Sequence, residues 1–144
     1  MCISEGEAVW VLYVDAYVLE HDGNCFDTTL LAILTALANV KLPQVEINEE
    51  QVVSVVDSQF TQLELDSYPI PLTFCVIDGY MLVDPTSEEE QLATTTFTIV
   101  YNNKQQLCAL YKSGGSSIKD SLLEQCQEIA KKRIDYIVTL IKQT

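Results

Sequence analysis

His21-Asp22-Gly23-Asn24-Cys25-Phe26-Asp27 joins a long apolar run to an apolar helical pattern and contains no lysine or arginine. The run before it, residues 8–19, is β-branched, aromatic and almost continuously apolar, which predicts a strand covered on both faces. After it, Phe26, Leu30, Ile33, Leu34, Leu37 and Val40 recur at spacings of three and four, which predicts a helix over 26–40 ended by Pro43. A glycine-opened turn from strand to helix is where a backbone can cradle a phosphate on the helix N-terminus. Here the cradle has the shape but no cationic side chain.

Strand signals resume at 50–56 and, more weakly, near 60–65. Residues 72–77 and 80–83 flank Asp78-Gly79, a strong hairpin pair, and further strands are expected at 93–101 and 107–111. These last four predict an antiparallel meander. Beyond Gly114-Gly115-Ser116-Ser117, Ser117 and Asp120 have capping-box spacing, and Ile118, Leu122, Cys126, Ile129, Ile134, Ile137 and Ile141 form a helical stripe. That stripe is either core-facing or a partner face. The Gly-Gly pair is either a plain turn or an anion loop served by Lys112 and Lys119. The whole, residues 1–144, reads as one α+β domain.

Composition limits the partners. Lysine and arginine total 8 against 21 acidic residues, the net charge is −13, and Arg133 is the only arginine. Arginine holds phosphate bidentately, and nucleic-acid affinity comes largely from basic side chains that displace counterions. The balance argues against this segment gripping RNA or an anionic membrane by itself; the plainer reading is that acidity keeps the chain soluble. No apolar run approaches the ~18 residues of a membrane span, and the N-terminus lacks a signal-peptide pattern, so a soluble intracellular chain is expected.

Cys2, Cys25, Cys75, Cys108 and Cys126 are widely spaced, with no pair at zinc-site separation. Reduced, buried thiols are expected. His21 is the only histidine. It is either a solvated loop residue or the one imidazole around which a metal site or Cys-His pair could be built.

A second constellation, Val83-Asp84-Pro85-Thr86-Ser87-Glu88-Glu89-Glu90, places four carboxylates after a strand end. Asp84, Glu88, Glu89 and Glu90 could hold a hard divalent cation with water and substrate phosphate. Equally, they could be a solvated loop opened by Asp-Pro.

Trp10-Val11-Leu12-Tyr13-Val14-Asp15, Asp22-Gly23-Asn24, the helix, Leu82-Val83-Asp84-Pro85-Thr86 with Glu88-Glu89-Glu90, and Leu92-Ala93-Thr94 follow one another as in the C-terminal half of RNase PH-like proteins. Among these the chain resembles the ring subunits of the eukaryotic RNA exosome, with support from Leu107-Cys108 and Lys112-Ser113-Gly114-Gly115-Ser116. The resemblance implies an RNase PH-like fold, a ribosomal protein S5 domain 2-like mixed sheet packed by helices. Family members are about twice as long, so the domain is expected to lack its N-terminal half.

Active members carry Asp-Gly-Gly-Thr-Arg-Thr at the strand-to-helix turn, where threonines, arginine and backbone bind the attacking phosphate. In that register Phe26 stands at the arginine position, and Asp27 adds a carboxylate beside it. The family's Asp-Met-Asn run, which supplies a metal ligand, falls on Thr96-Phe97-Thr98. Asp84, Glu89 and Glu90 are residual carboxylates without that aspartate. The resemblance thus implies a catalytically silent subunit with no cofactor and no metal. It also implies a hetero-hexameric ring with other RNase PH-like subunits, S1 and KH cap proteins, RNA passing through the assembled channel, and residence in nucleus, nucleolus and cytoplasm. The competing readings are a phosphorolytic 3′-to-5′ exoribonuclease and a free-standing RNA-binding module.

Overall fold

Both residues of the Asp78-Gly79 turn have positive φ, 50° and 84°. A two-residue hairpin needs this geometry to match the twist of the strands it joins. The turn organises the main sheet of the computed structural model, which describes residues 2–48 and 53–143. In chain order the elements are β1 Cys2–Ser4, β2 Ala8–Val9, α1 Cys25–Ala38, β3 Lys41–Ile47, β4 Val53–Gln62, β5 Ile70–Ile77, β6 Tyr80–Val83, α2 Ser87–Leu92, β7 Thr95–Tyr101, β8 Leu107–Tyr111 and α3 Asp120–Gln143.

The main sheet runs β6-β5-β7-β8. It is therefore not the expected meander: α2 carries the chain across β5, so β7 pairs with β5 rather than with β6. Every strand pair among the described residues is antiparallel. Pro71 is accommodated in central β5 because β6 pairs only from Phe74 onward, leaving the earlier part of β5 without a ladder on that side.

Alternation decides the two faces of the sheet. Ile70, Leu72, Phe74 and Val76 of β5 and Phe97, Ile99 and Tyr101 of β7 join one core with Leu34 of α1 and Cys126, Ala130, Ile134, Ile137, Val138 and Ile141 of α3. Phe74 and Phe97, paired in register, stack with ring centroids 5.4 Å apart. The stripe on α3 is thus its core-facing side. The opposite sheet face carries the hydroxyls of Thr73, Thr96 and Thr98, placed together because Thr73 pairs with Thr98 and Cys75 with Thr96.

The expected strand at 8–19 is not formed. Only Ala8–Val9 pair, with β1, and the rest of the segment is irregular, with Tyr13 90% and Leu19 97% exposed. An apolar run makes a strand only where a sheet edge receives it, and no described strand pairs with residues 10–19. Residues 14–21 instead lie across Cys25, Thr29, Ala32, Ile33 and Ala36 of α1, enclosing a cleft of about 480 Å³.

The helix expected at 26–40 is α1, closed at Asn39, whose backbone N–H and side-chain Nδ2 both donate to Thr35 O. Pro43 lies not after a plain helix stop but inside β3, where the register with β4 breaks between Pro43 and Gln44. The separate strand signals at 50–56 and 60–65 merge into β4, with residues 50–52 outside the described residues. The Ser117–Asp120 capping box is not formed; Leu122 and Leu123 donate to Lys119 O instead. Of the five cysteines only Cys75 and Cys126 are buried, Cys25 is half-buried, and Cys2 and Cys108 are exposed, since β1 and edge strand β8 lie outside the core. No helix of the described residues is long and apolar enough to cross a membrane.

Candidate functional site

Gly23 has φ +90, and a Cβ there would collide with the backbone of Pro85, Thr86 and Ser87. This close approach is why glycine is required, and it brings the turn 21–27 against the carboxylate stretch 84–90. Ser87 Oγ donates to Asp22 Oδ1 at 3.0 Å, while His21 is exposed on the turn.

Asn24 follows in a left-handed conformation, φ 42° and ψ 42°, and starts α1 without a side-chain cap. Its Nδ2 donates to Asp84 Oδ1 at 2.6 Å and to Asp27 Oδ2 at 3.0 Å. Its backbone N–H donates to Glu90 Oε1 at 3.0 Å. The helix start, where an external anion would gain from N–H groups and dipole, thus already engages a carboxylate of the protein itself.

Asp27 does not lie beside the Phe26 position as expected. It is 5% exposed, and Thr73 donates to it through both its backbone N–H, at 2.8 Å, and its hydroxyl, at 2.7 Å. The reason is the end of β6: Asp84 N–H still donates to Thr73 O, but Asp84 then turns away with φ 60°, and Asp27 accepts the Thr73 N–H left over. Thr73 Oγ1 lies 2.7 Å from Thr98 Oγ1, completing a buried chain of polar groups. Asp27 therefore fixes α1 to the sheet.

The carboxylate stretch is neither a solvated loop nor a single cluster. Thr86 caps α2, its hydroxyl accepting from Glu89 N–H while Glu89 Oε2 accepts from Thr86 N–H at 2.8 Å. Glu90 faces the turn, Asp84 holds Asn24, and Glu88 is exposed. Among the described residues no three or more His, Cys, Asp or Glu side chains converge as a metal site would require. Burial, and then the negative charges of Glu89 and Glu90, raise the Cys75 pKa.

Phe26, Glu90 and Thr96, far apart in sequence, line one cleft of about 150 Å³ on the hydroxyl face of the sheet. Sequence reasoning missed Tyr111 and Ser113 of the same cleft. Phe26 stacks on Tyr111 with centroids 6.3 Å apart and planes within 9°. Tyr111 arrives there because it pairs with Thr98 at the end of β8. Among the described residues no lysine or arginine lines the cleft: the nearest in sequence, Lys112, donates to Gly114 O at 2.5 Å and Gly115 O at 3.2 Å. That contact, with Ser116 N–H donating to Thr94 O, makes the Gly-Gly segment a turn docked on the start of β7.

Comparison with known proteins places this geometry. Models of the 3′ exoribonuclease family match in order, domain 1 over residues 1–43 and domain 2 over residues 67–133. Exosome complex component Rrp42 of Methanopyrus kandleri is 32% identical, over 99% of this chain and 53% of its own length. Exosome complex component rrp43 of Schizosaccharomyces pombe is 36% identical, over 92% of this chain and 50% of its own. The chain spans about half the length of these relatives. Among solved structures, an Archaeoglobus fulgidus exosome with RNA bound to the active site superposes with a TM-score of 0.70 at 26% identity, covering 86% of this chain and 46% of that one. An archaeal exosome core gives the same TM-score at 27% identity, covering 86% and 47%. With two models of one family matched in order across most of its length, the chain belongs to the 3′ exoribonuclease, or RNase PH-like, family.

Proposed function

We propose that the chain is a noncatalytic subunit of an RNA exosome ring, serving RNA processing and 3′-to-5′ degradation by holding the ring and its channel together. Its neighbours are other RNase PH-like subunits, with S1 and KH proteins as caps, and RNA meets the assembled channel rather than this segment alone. Nucleus, nucleolus and cytoplasm are the compartments this role calls for. The relatives named as exosome components support the assembly, and the fission yeast rrp43 supports a eukaryotic ring position.

One observation carries the noncatalytic part: Phe26 and Glu90, whose carboxylate engages the Asn24 N–H, line the cleft where a phosphate would need a cation and free N–H groups. A phosphate there would meet like charge and lose a bidentate partner. Phosphoryl transfer depends on positioned charge compensation, and the cleft supplies none.

The test is to recover the tagged chain from cell extract, identify its companions by mass spectrometry, and assay the recovered complex for phosphate-dependent release of nucleoside diphosphates from RNA. RNase PH-like and S1-domain companions without such release are expected. Recovery of the chain alone overturns the ring role. Phosphorolysis abolished by substituting Glu90 overturns the noncatalytic reading in favour of an exoribonuclease.

A further inference from the structure

The same cleft has a chemistry of its own. Phe26 and Tyr111, 51% and 59% exposed, present a stacked aromatic wall. The cleft is also lined by Glu90, one carboxylate oxygen of which accepts from the Asn24 N–H, and by the hydroxyl-bearing Thr96 and Ser113. Asn24 also lines it, 5% exposed, and its buried Oδ1 accepts no hydrogen bond among the described residues.

These groups accept hydrogen bonds or offer π faces, and none brings a positive charge. An anion would face Glu90, and an apolar guest would strand a carboxylate against it. At about 150 Å³ the cleft is well below the roughly 300–1,000 Å³ of sites that enclose small-molecule ligands. It suits the head of one side chain. A guanidinium satisfies every wall at once: it is flat enough to stack on Phe26 or Tyr111, weakly hydrated, and a charge-assisted donor to carboxylate and hydroxyl. The field of a chain carrying −13 charges draws such a group in.

We propose that this cleft is a receptor for an arginine side chain presented by a neighbouring polypeptide. The inference rests on the ring-subunit reading only for the source of that arginine.

The test titrates the full chain with the peptide acetyl-Gly-Arg-Gly-amide and follows the Phe26 and Tyr111 ring protons and the Thr96 amide by NMR. The matched citrulline peptide keeps the shape and removes the charge. Saturable shifts with the arginine peptide are expected, weakened about tenfold for the citrulline peptide and for Glu90→Gln. Glu90→Gln retains an oxygen for the Asn24 N–H, and an unchanged melting temperature shows that the fold survives. Tyr111→Leu, which takes no part in that bond, provides a second variant and should weaken binding through the lost ring.

Equal affinity for citrulline, no saturable shift at millimolar peptide, or saturation of the same resonances by inorganic phosphate would each overturn the proposal. Recovery of ring companions together with a cleft indifferent to arginine removes this inference alone. A cleft that binds arginine in a chain recovered without companions removes the ring reading alone.

Discussion

Asn24 Nδ2 lies 2.6 Å from Asp84 Oδ1 and 3.0 Å from Asp27 Oδ2, so one amide stands between two carboxylates that would otherwise repel. Together with its N–H on Glu90, Asn24 ties the start of α1 to the end of β6 and to α2. Replacing the amide by a carboxylate turns a donor into a third negative group in a buried setting. Asn24→Asp should therefore lower stability more than Asn24→Ala, by about 2 kcal/mol or more beyond it. Urea unfolding of the two variants measures the difference, and an Asn24→Asp protein as stable as Asn24→Ala would show that the amide bridges nothing.

Gly23 allows this convergence. Gly23→Ala meets both a left-handed backbone, φ +90, and the backbone of Pro85, Thr86 and Ser87. Gly6→Ala meets only the backbone term, since at φ +79 its Cβ points into open space. The expectation is a loss of about 1 kcal/mol for Gly6→Ala and of about 3 kcal/mol or more for Gly23→Ala. Thermal unfolding separates them, and equal losses would mean that residues 21–24 do not pack against the segment opening α2.

Much of this was legible in the sequence wherever a local signal and a tertiary requirement coincide. The Asp78-Gly79 turn, β6 and β8 fall where alternation and turn chemistry place them, because a hairpin is a local structure. The order β6-β5-β7-β8 was not legible, since nothing local says that α2 crosses β5. Residues 10–19 show the reverse failure: apolar, β-branched composition is a preference for a covered sheet, and it creates no partner strand. In the cleft, Phe26 and Thr96 could be singled out as departures from a motif and Glu90 as a residual carboxylate. Tyr111 carried no such mark, because only the pairing of β8 with β7 brings it to Phe26. Asp27 shows the limit of reading one residue from its neighbour, as adjacent positions at a helix start point to different surroundings.

Cys126 gives a pH signature. Burial pushes its thiol up to about 11 from an ordinary 9.0, with a backbone hydrogen bond opposing in part. Above pH 9 the unfolded chain releases this proton while the folded chain keeps it, so stability falls as pH rises, by at most about 1.4 kcal/mol per pH unit, until the folded thiol itself ionises near 11. Other groups titrate in this window, so the readout is a difference: Cys126→Ala should lose stability near neutral pH and show a shallower decline between pH 9 and 11. Parallel slopes for the two proteins would contradict a buried, protonated thiol. In the native protein at pH 8, Cys2 and Cys108 should alkylate readily and Cys126 only on unfolding.

Phe26→Arg combined with Thr96→Asp introduces the two residue types that the family resemblance implies for an active member at these positions, yet it should yield no phosphorolysis by this chain alone. Glu90 still holds the Asn24 N–H, so the helix start stays occupied by a carboxylate. The new guanidinium would enter a cleft lined by Glu90 and Tyr111, where a carboxylate and an aromatic ring compete with phosphate for it. The side chain becomes its own guest rather than an anion receptor. The single variant Phe26→Arg should accordingly abolish binding of the arginine peptide, because the cleft is filled from within. Release of nucleoside diphosphates from RNA by the double variant, dependent on added phosphate, would show that charge at these two positions is the whole of what this chain lacks. Continued silence, with the arginine peptide excluded, is the outcome expected of a cleft filled from within beside a helix start that Glu90 already engages.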